Sequence, residues 1–191
     1  DDVFVAFFGG GWDSANADQT GTYLYGVDLE TGVAVVKHLI GVDLPGGVTA
    51  LDSDSDGFHD RIYFADSDGS LWRIQYPAPT AAEATDARAG AVADNLPGVF
   101  TRIFDFRGFP DRQEIFTRPV PVPALFNGSN YTWALAFGSG DRAELDREDS
   151  GFDHFYFVLD VGDSVTRNQG DLLEIDYSEL TNSFDCTTKG G

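Results

Sequence analysis

Asp52-Ser53-Asp54-Ser55-Asp56-Gly57-Phe58-His59-Asp60 packs four carboxylates into nine residues, with a glycine directly after the third. Charges of one sign a few ångströms apart repel, so such a loop is either spread by solvent or gathered by a hard cation. The spacing matches the first nine positions of a calcium loop. There, side-chain oxygens stand at positions 1, 3 and 5, glycine turns the chain at 6, position 7 gives a backbone carbonyl and position 9 a further oxygen. On this reading Asp52, Asp54, Asp56 and Asp60 supply carboxylates, Phe58 supplies its carbonyl, and the ion is Ca2+. A full EF-hand has a bidentate Glu at position 12, where this chain has Tyr63. The residues that follow, Arg61-Ile62-Tyr63-Phe64, alternate like a strand, and Gly47–Leu51 also reads as extended. The expectation is therefore a calcium loop between two strands rather than between two helices. A solvated acidic turn is the bland alternative, since Asp, Ser and Gly are ordinary turn residues.

The elements that must position this loop read as strands almost throughout. Val3–Phe8 and Thr22–Leu29 form a first hairpin across a long polar loop, and Glu30-Thr31-Gly32 turns into Val33–Leu39. Arg61–Ala65 and Leu71–Tyr76 form a second hairpin, in which Asp68-Gly69 signals a turn of positive φ. A Pro/Ala-rich excursion over 77–97 interrupts the pattern, with one or two helical turns expected around Ala81–Ala89. Strands resume at Val99–Phe106. Arg118–Phe126 then pairs with Tyr131–Phe137 across a type I′ turn at Asn127-Gly128. Asp153–Asp160 and Leu172–Tyr177 complete the set.

A unit recurs. Ala6–Asp13 followed by Tyr23–Asp28 is echoed by Ala134–Asp141 followed by Phe155–Asp160, and more briefly by Tyr63–Asp66 with Ser70–Ile74. Strand, glycine-rich turn, strand and closing Asp, repeated in an all-β chain, suggest blades of a β-propeller. At roughly 40–60 residues per blade the chain holds about three or four, a partial propeller.

Composition narrows the function classes. With 32 acidic against 12 basic residues the net charge is −20, so nucleic acid and anionic membrane surfaces are poor partners. No stretch is long and apolar enough to insert in a membrane. Cys186 is the lone cysteine, which leaves no intrachain disulfide. His38, His59 and His154 lack ligand spacing, and Trp12, Trp72 and Trp133 read as core or blade-interface residues. Asp13, Asn16 and Asp18, and Asp141, Asp146 and Asp149, are two weaker acidic groupings that read as solvated loops.

Gly47–Asp66 with Gly69–Ile74 resembles PilY-type proteins, which are large, secreted and associated with type IV pili. Phe8–Asp13, Leu24–Gly32, Thr117-Arg118-Pro119 and Phe137–Arg142 fit the same pattern, and the match is poorest over 77–97 and beyond Asp163. The resemblance implies a C-terminal modified β-propeller carrying a calcium loop, with residues 1–191 part of that single domain in a larger polypeptide. It further implies a bacterial extracellular, pilus-tip protein acting in pilus assembly, retraction control and adhesion, while the residues themselves read as a calcium-binding surface module and not an enzyme. Its partners would be minor pilins or other tip subunits, and the remainder of its own polypeptide. The alternatives are a quinoprotein-like propeller enzyme, for which no cysteine pair or Asn/Glu metal set is visible, and a structural subunit of an extracellular filament.

Overall fold

The computed structural model describes residues 4–13, 20–55, 57, 59–76, 98–107, 114–126, 130–140 and 154–172. The described chain is mostly β. Its strands are β1 (Val5–Gly9), β2 (Tyr23–Asp28), β3 (Ala34–Leu39), β4 (Thr49–Leu51), β5 (Arg61–Ala65), β6 (Ser70–Gln75), β7 (Val99–Asp105), β8 (Val120–Phe126), β9 (Asn130–Gly138), β10 (Phe155–Asp160) and β11 (Arg167–Asn168). Single 3-10 turns lie at Thr20–Thr22 and Gln169–Asp171.

These strands form three sheets, in the orders β1-β2-β3, β11-β7-β6-β5-β4 and β10-β9-β8. Consecutive strands within each sheet run antiparallel, and only β11 joins in parallel, beside β7. Among the described residues the sheets do not close into a barrel or a ring.

The five-stranded sheet is the middle layer. Ile62 and Phe64 of β5 project with Ile74 into a cluster shared with Leu24 of the first sheet. Tyr63 and Ala65 project from the other face into a cluster with Leu135, Phe137, Tyr156 and Val158 of the third. Burial on both faces is why β5 is apolar at successive positions instead of alternating. Aromatic edge-to-face contacts fill the second cluster, as between Phe106 and Tyr156 at 4.8 Å.

The turns refine the sequence reading. Gly69 takes φ +83, whereas Asp68 does not enter the positive region. The Gly69 amide donates to the Asp66 carbonyl at 3.1 Å, and the Asp66 carboxylate accepts the Ser70 amide at 2.8 Å. The turn is thus a type I turn capped by an Asp side chain, so only one residue needed to be glycine. The Asn127-Gly128 turn and the excursion over 77–97 lie outside the described residues. So does nearly all of the last expected strand, of which Leu172 is described and follows a 3-10 turn instead of opening a strand. The strand found in this region is β11, too short to leave a periodic signal.

One edge of the third sheet is β8, where Pro121 and Pro123 pair with Leu135 and Trp133 of β9, and β10 is the other. A proline survives in a paired strand only where its missing N–H would have pointed away from the partner. The unpaired side of β8 is therefore short of donors.

Candidate metal centre

The acidic loop is the connection of a hairpin. Leu51 at the end of β4 pairs with Arg61 at the start of β5, and the Asp60 amide donates to the Leu51 carbonyl at 3.0 Å. The nonapeptide is thereby pinned at both ends, between strands as expected. One carboxylate oxygen from each of Asp52, Asp54 and Asp60 lies within 4.8 Å of the others. Asp56 and Phe58, the remaining expected ligands, lie outside the described residues.

Local hydrogen bonds shape the loop. Asp52 Oδ1 accepts the Ser55 amide at 2.6 Å and Oδ2 accepts the Gly57 amide at 3.0 Å, so the first carboxylate folds the chain around itself. Two residues stand at positive φ to permit this, Gly57 at +96 and Ser55 at +66. For Ser55 that conformation is strained, because its Cβ crowds the backbone.

Asp60 is held from two sides. Its Oδ1 accepts the Ser53 amide at 2.7 Å, and its Oδ2 accepts the Ser53 hydroxyl at 2.6 Å and the Gln75 side-chain amide at 3.0 Å. Partial burial pushes its pKa up, but the bonds from Ser53 and Gln75 outweigh it, and the carboxyl sits below the ordinary 3.8. It is an anion across the physiological range.

Three clustered hard oxygen donors with a glycine turn suit an oxygen-seeking cation such as Ca2+, and lack the sulfur or imidazole that zinc prefers. A carboxylate oxygen has two lone pairs, so those already accepting one amide retain capacity for a metal.

Gln75, on β6, was not legible as part of this site. Its Nε2 binds Asp60 while its Oε1 accepts from Arg61 Nε at 2.7 Å. Arg61 Nη1 in turn lies 3.7 Å from Asp160, the terminal residue of β10. Asp160 is 1% exposed and also accepts from Arg73 Nη1, from the Tyr63 hydroxyl at 2.7 Å and from the Gly162 amide at 3.0 Å. Burial first, and then the adjacent negative charge of Asp160, raise the Tyr63 pKa far above its usual value. The signal available in the sequence was the recurring Asp at the end of each unit. Asp28 and Asp66 occupy the same role, each accepting the amide two residues on, from Glu30 at 2.9 Å and Asp68 at 3.0 Å.

Of the two weaker acidic groupings, Asp13 alone lies among the described residues. The Asp13 amide binds Asp43 at 2.9 Å, while Asn16, Asp18, Asp141, Asp146 and Asp149 lie outside the described residues. His38 packs on Phe100 and His154 on Tyr156, in different sheets. Trp72 meets the core-and-interface expectation: it stacks on Phe64 and donates to Asp66 at 2.8 Å. Trp12 is 41% exposed and rests on Phe116. Among the described residues no helix is long and apolar enough to cross a membrane.

No family model, curated protein or solved structure matches this chain.

Proposed function

We infer that the chain is a calcium-binding β module of an extracellular, pilus-associated protein, in which the ion orders the β4–β5 loop and thereby the face that loop belongs to. The observation that carries this reading is the convergence of Asp52, Asp54 and Asp60 oxygens within 4.8 Å on a loop pinned by its flanking strands. Asp52, Asp54 and Asp60 would hold the ion, with Asp56 and the Phe58 carbonyl completing the set. The chemistry is linkage. Crowded carboxylates destabilise the empty loop, and a cation that binds only the ordered form stabilises it by RT ln(1 + [Ca]/Kd). At a hundredfold excess over Kd that is about 2.7 kcal/mol, a large share of the stability of a small domain.

Three successive meander sheets stacked face to face support the reading of a propeller arc. The pilus setting, with minor pilins or other tip subunits as partners and roles in assembly, retraction control and adhesion, rests on the order and spacing of the residues quoted above.

Calorimetric calcium titration with parallel thermal unfolding tests the site. The wild type is expected to bind one ion and gain stability, and Asp52→Ala to lose both. A wild type whose unfolding is indifferent to millimolar calcium would remove the claim.

A further inference from the structure

Asp43, in the connection between β3 and β4, is 7% exposed. Its Oδ2 accepts the Asp13 amide at 2.9 Å, and its carbonyl accepts the Ser67 amide at 2.9 Å, from the turn between β5 and β6. Its Oδ1 is shut off from solvent and has no donor among the described residues. No described arginine or lysine pairs with this carboxylate. The buried Asp160, by contrast, has Arg73 and Arg61. An enclosed negative charge without a positive partner is strongly unfavourable, so something has to balance it.

A second acceptor faces the same spot. Gly11 donates its amide to the Leu44 carbonyl at 3.2 Å, and the Leu44 amide donates to the Gly21 carbonyl at 3.0 Å, which gathers both ends of the β1–β2 loop beside Asp43. A Cβ on Gly21 would collide with Asp43 Oδ1 and stand 2.9 Å from the Gly11 carbonyl oxygen. Among the described residues nothing donates to that carbonyl. Gly21 is not at positive φ, so its backbone does not call for glycine; the space does. Glycine thus keeps open a gap bounded by two oxygens, one anionic and one neutral. Two acceptors sharing a gap repel unless positive charge lies between them.

We propose that this gap is a site for a monovalent metal cation of sodium size, held by Asp43 Oδ1 and the Gly11 carbonyl, with water completing the shell. Donors that are all oxygen suit a hard ion, and backbone carbonyls are able to replace the water shell of a monovalent one. One carboxylate balances one positive charge, whereas a divalent ion would leave a surplus buried. A gap that a single carbon would overfill suits the smaller alkali ion. The site goes beyond the calcium reading and does not depend on it. Its role is structural: the ion joins both ends of the β1–β2 loop to the β3–β4 connection, which is itself bonded to the middle sheet through Ser67. It clasps the first sheet to the second, as Asp160 clasps the second to the third. Grouping Asp13 with its sequence neighbours could not find this site, because Asp43 lies 30 residues away.

Thermal unfolding of the 191-residue chain in EGTA, in sodium chloride and in tetramethylammonium chloride at equal ionic strength, tests this. Equal ionic strength cancels the screening that any salt gives a chain of charge −20. Sodium several-fold above its Kd is expected to raise the melting temperature by about 2–4 °C over tetramethylammonium, and the rise should saturate. Asp43→Asn, whose side-chain N–H can turn to the Gly11 carbonyl, should unfold at one temperature in both salts. Asp52→Ala should keep the sodium step, which separates this site from the calcium loop. Sodium-23 line broadening, greater for wild type than for Asp43→Asn, reports the ion directly. Equal wild-type melting in the two salts overturns the proposal and leaves a proton or a water between the oxygens. A sodium step that survives Asp43→Asn overturns it too. So does a calcium step abolished by Asp43→Asn but not by Asp52→Ala, which would make the ion divalent.

Discussion

Replacing Asp160 with alanine should cost about 3–5 kcal/mol of folding stability, the range for removing one partner of a buried ion pair. The structure sets the size of the effect. Asp160 is 1% exposed and the Arg73 side chain 6%, so water cannot take over when the carboxylate goes. Three donors lose their acceptor together: the Arg73 guanidinium, the Tyr63 hydroxyl and the Gly162 amide. Among the described residues Arg73 keeps its Nη2 bond to the Asp163 carbonyl at 2.8 Å, which satisfies a hydrogen without balancing the charge. Because Asp160 ends β10 while Tyr63 and Arg73 belong to the middle sheet, the loss falls on the joint between two layers. Urea unfolding followed by tryptophan fluorescence measures it, with an unchanged m-value as the check that both states keep their compactness. Asp163→Ala is the control: its carboxylate pairs with Arg167 at the surface, and the change should cost under about 1 kcal/mol. If Asp160→Ala also cost less than about 1 kcal/mol, the claim that this carboxylate neutralises a buried guanidinium would be refuted.

Other perturbations address the loop and the tight approaches. The folded pKa of Asp60 is depressed, so its stabilising contribution is present at neutral pH and is lost as pH falls through the folded value, below 3.8. Urea midpoints of wild type and Asp60→Asn measured against pH should differ at pH 6 and converge in that acid window. Ser55→Gly relieves a residue at φ +66 and should raise stability by up to about 1 kcal/mol or tighten calcium binding, read by thermal unfolding and calorimetry. In Gly9→Ala the new Cβ would stand 2.4 Å from the Leu44 carbonyl oxygen and 2.6 Å from its Cβ. Overpacking of that kind costs about 1–3 kcal/mol, and equilibrium unfolding should show it.

How legible each part was depended on how local its cause is. The acidic loop and its flanking strands could be read because the acidic residues, turn glycine and pairing all lie within about fifteen residues, a span that local spacing rules cover. The hairpin of β5 and β6 was visible for the same reason, although its Asp-capped geometry was not. What the spacing did not reveal is the support around the loop. Gln75 reaches Asp60 from 15 residues away, and Tyr63 reaches Asp160 across 97. Arg73 looks like a solvent-facing interruption of Leu71-Trp72-Arg73-Ile74, yet it is buried because a sheet lies on each side of that strand. The stacking order of the three sheets is a long-range property, and no local alternation encodes it.

The paired prolines of β8 limit growth along one border of this molecule. With Pro121 and Pro123 leaving two gaps in its outer row of donors, that border offers an incoming strand a broken template and resists zipping into fibrils. A strand added there would find fewer backbone donors than any proline-free edge of the same length presents.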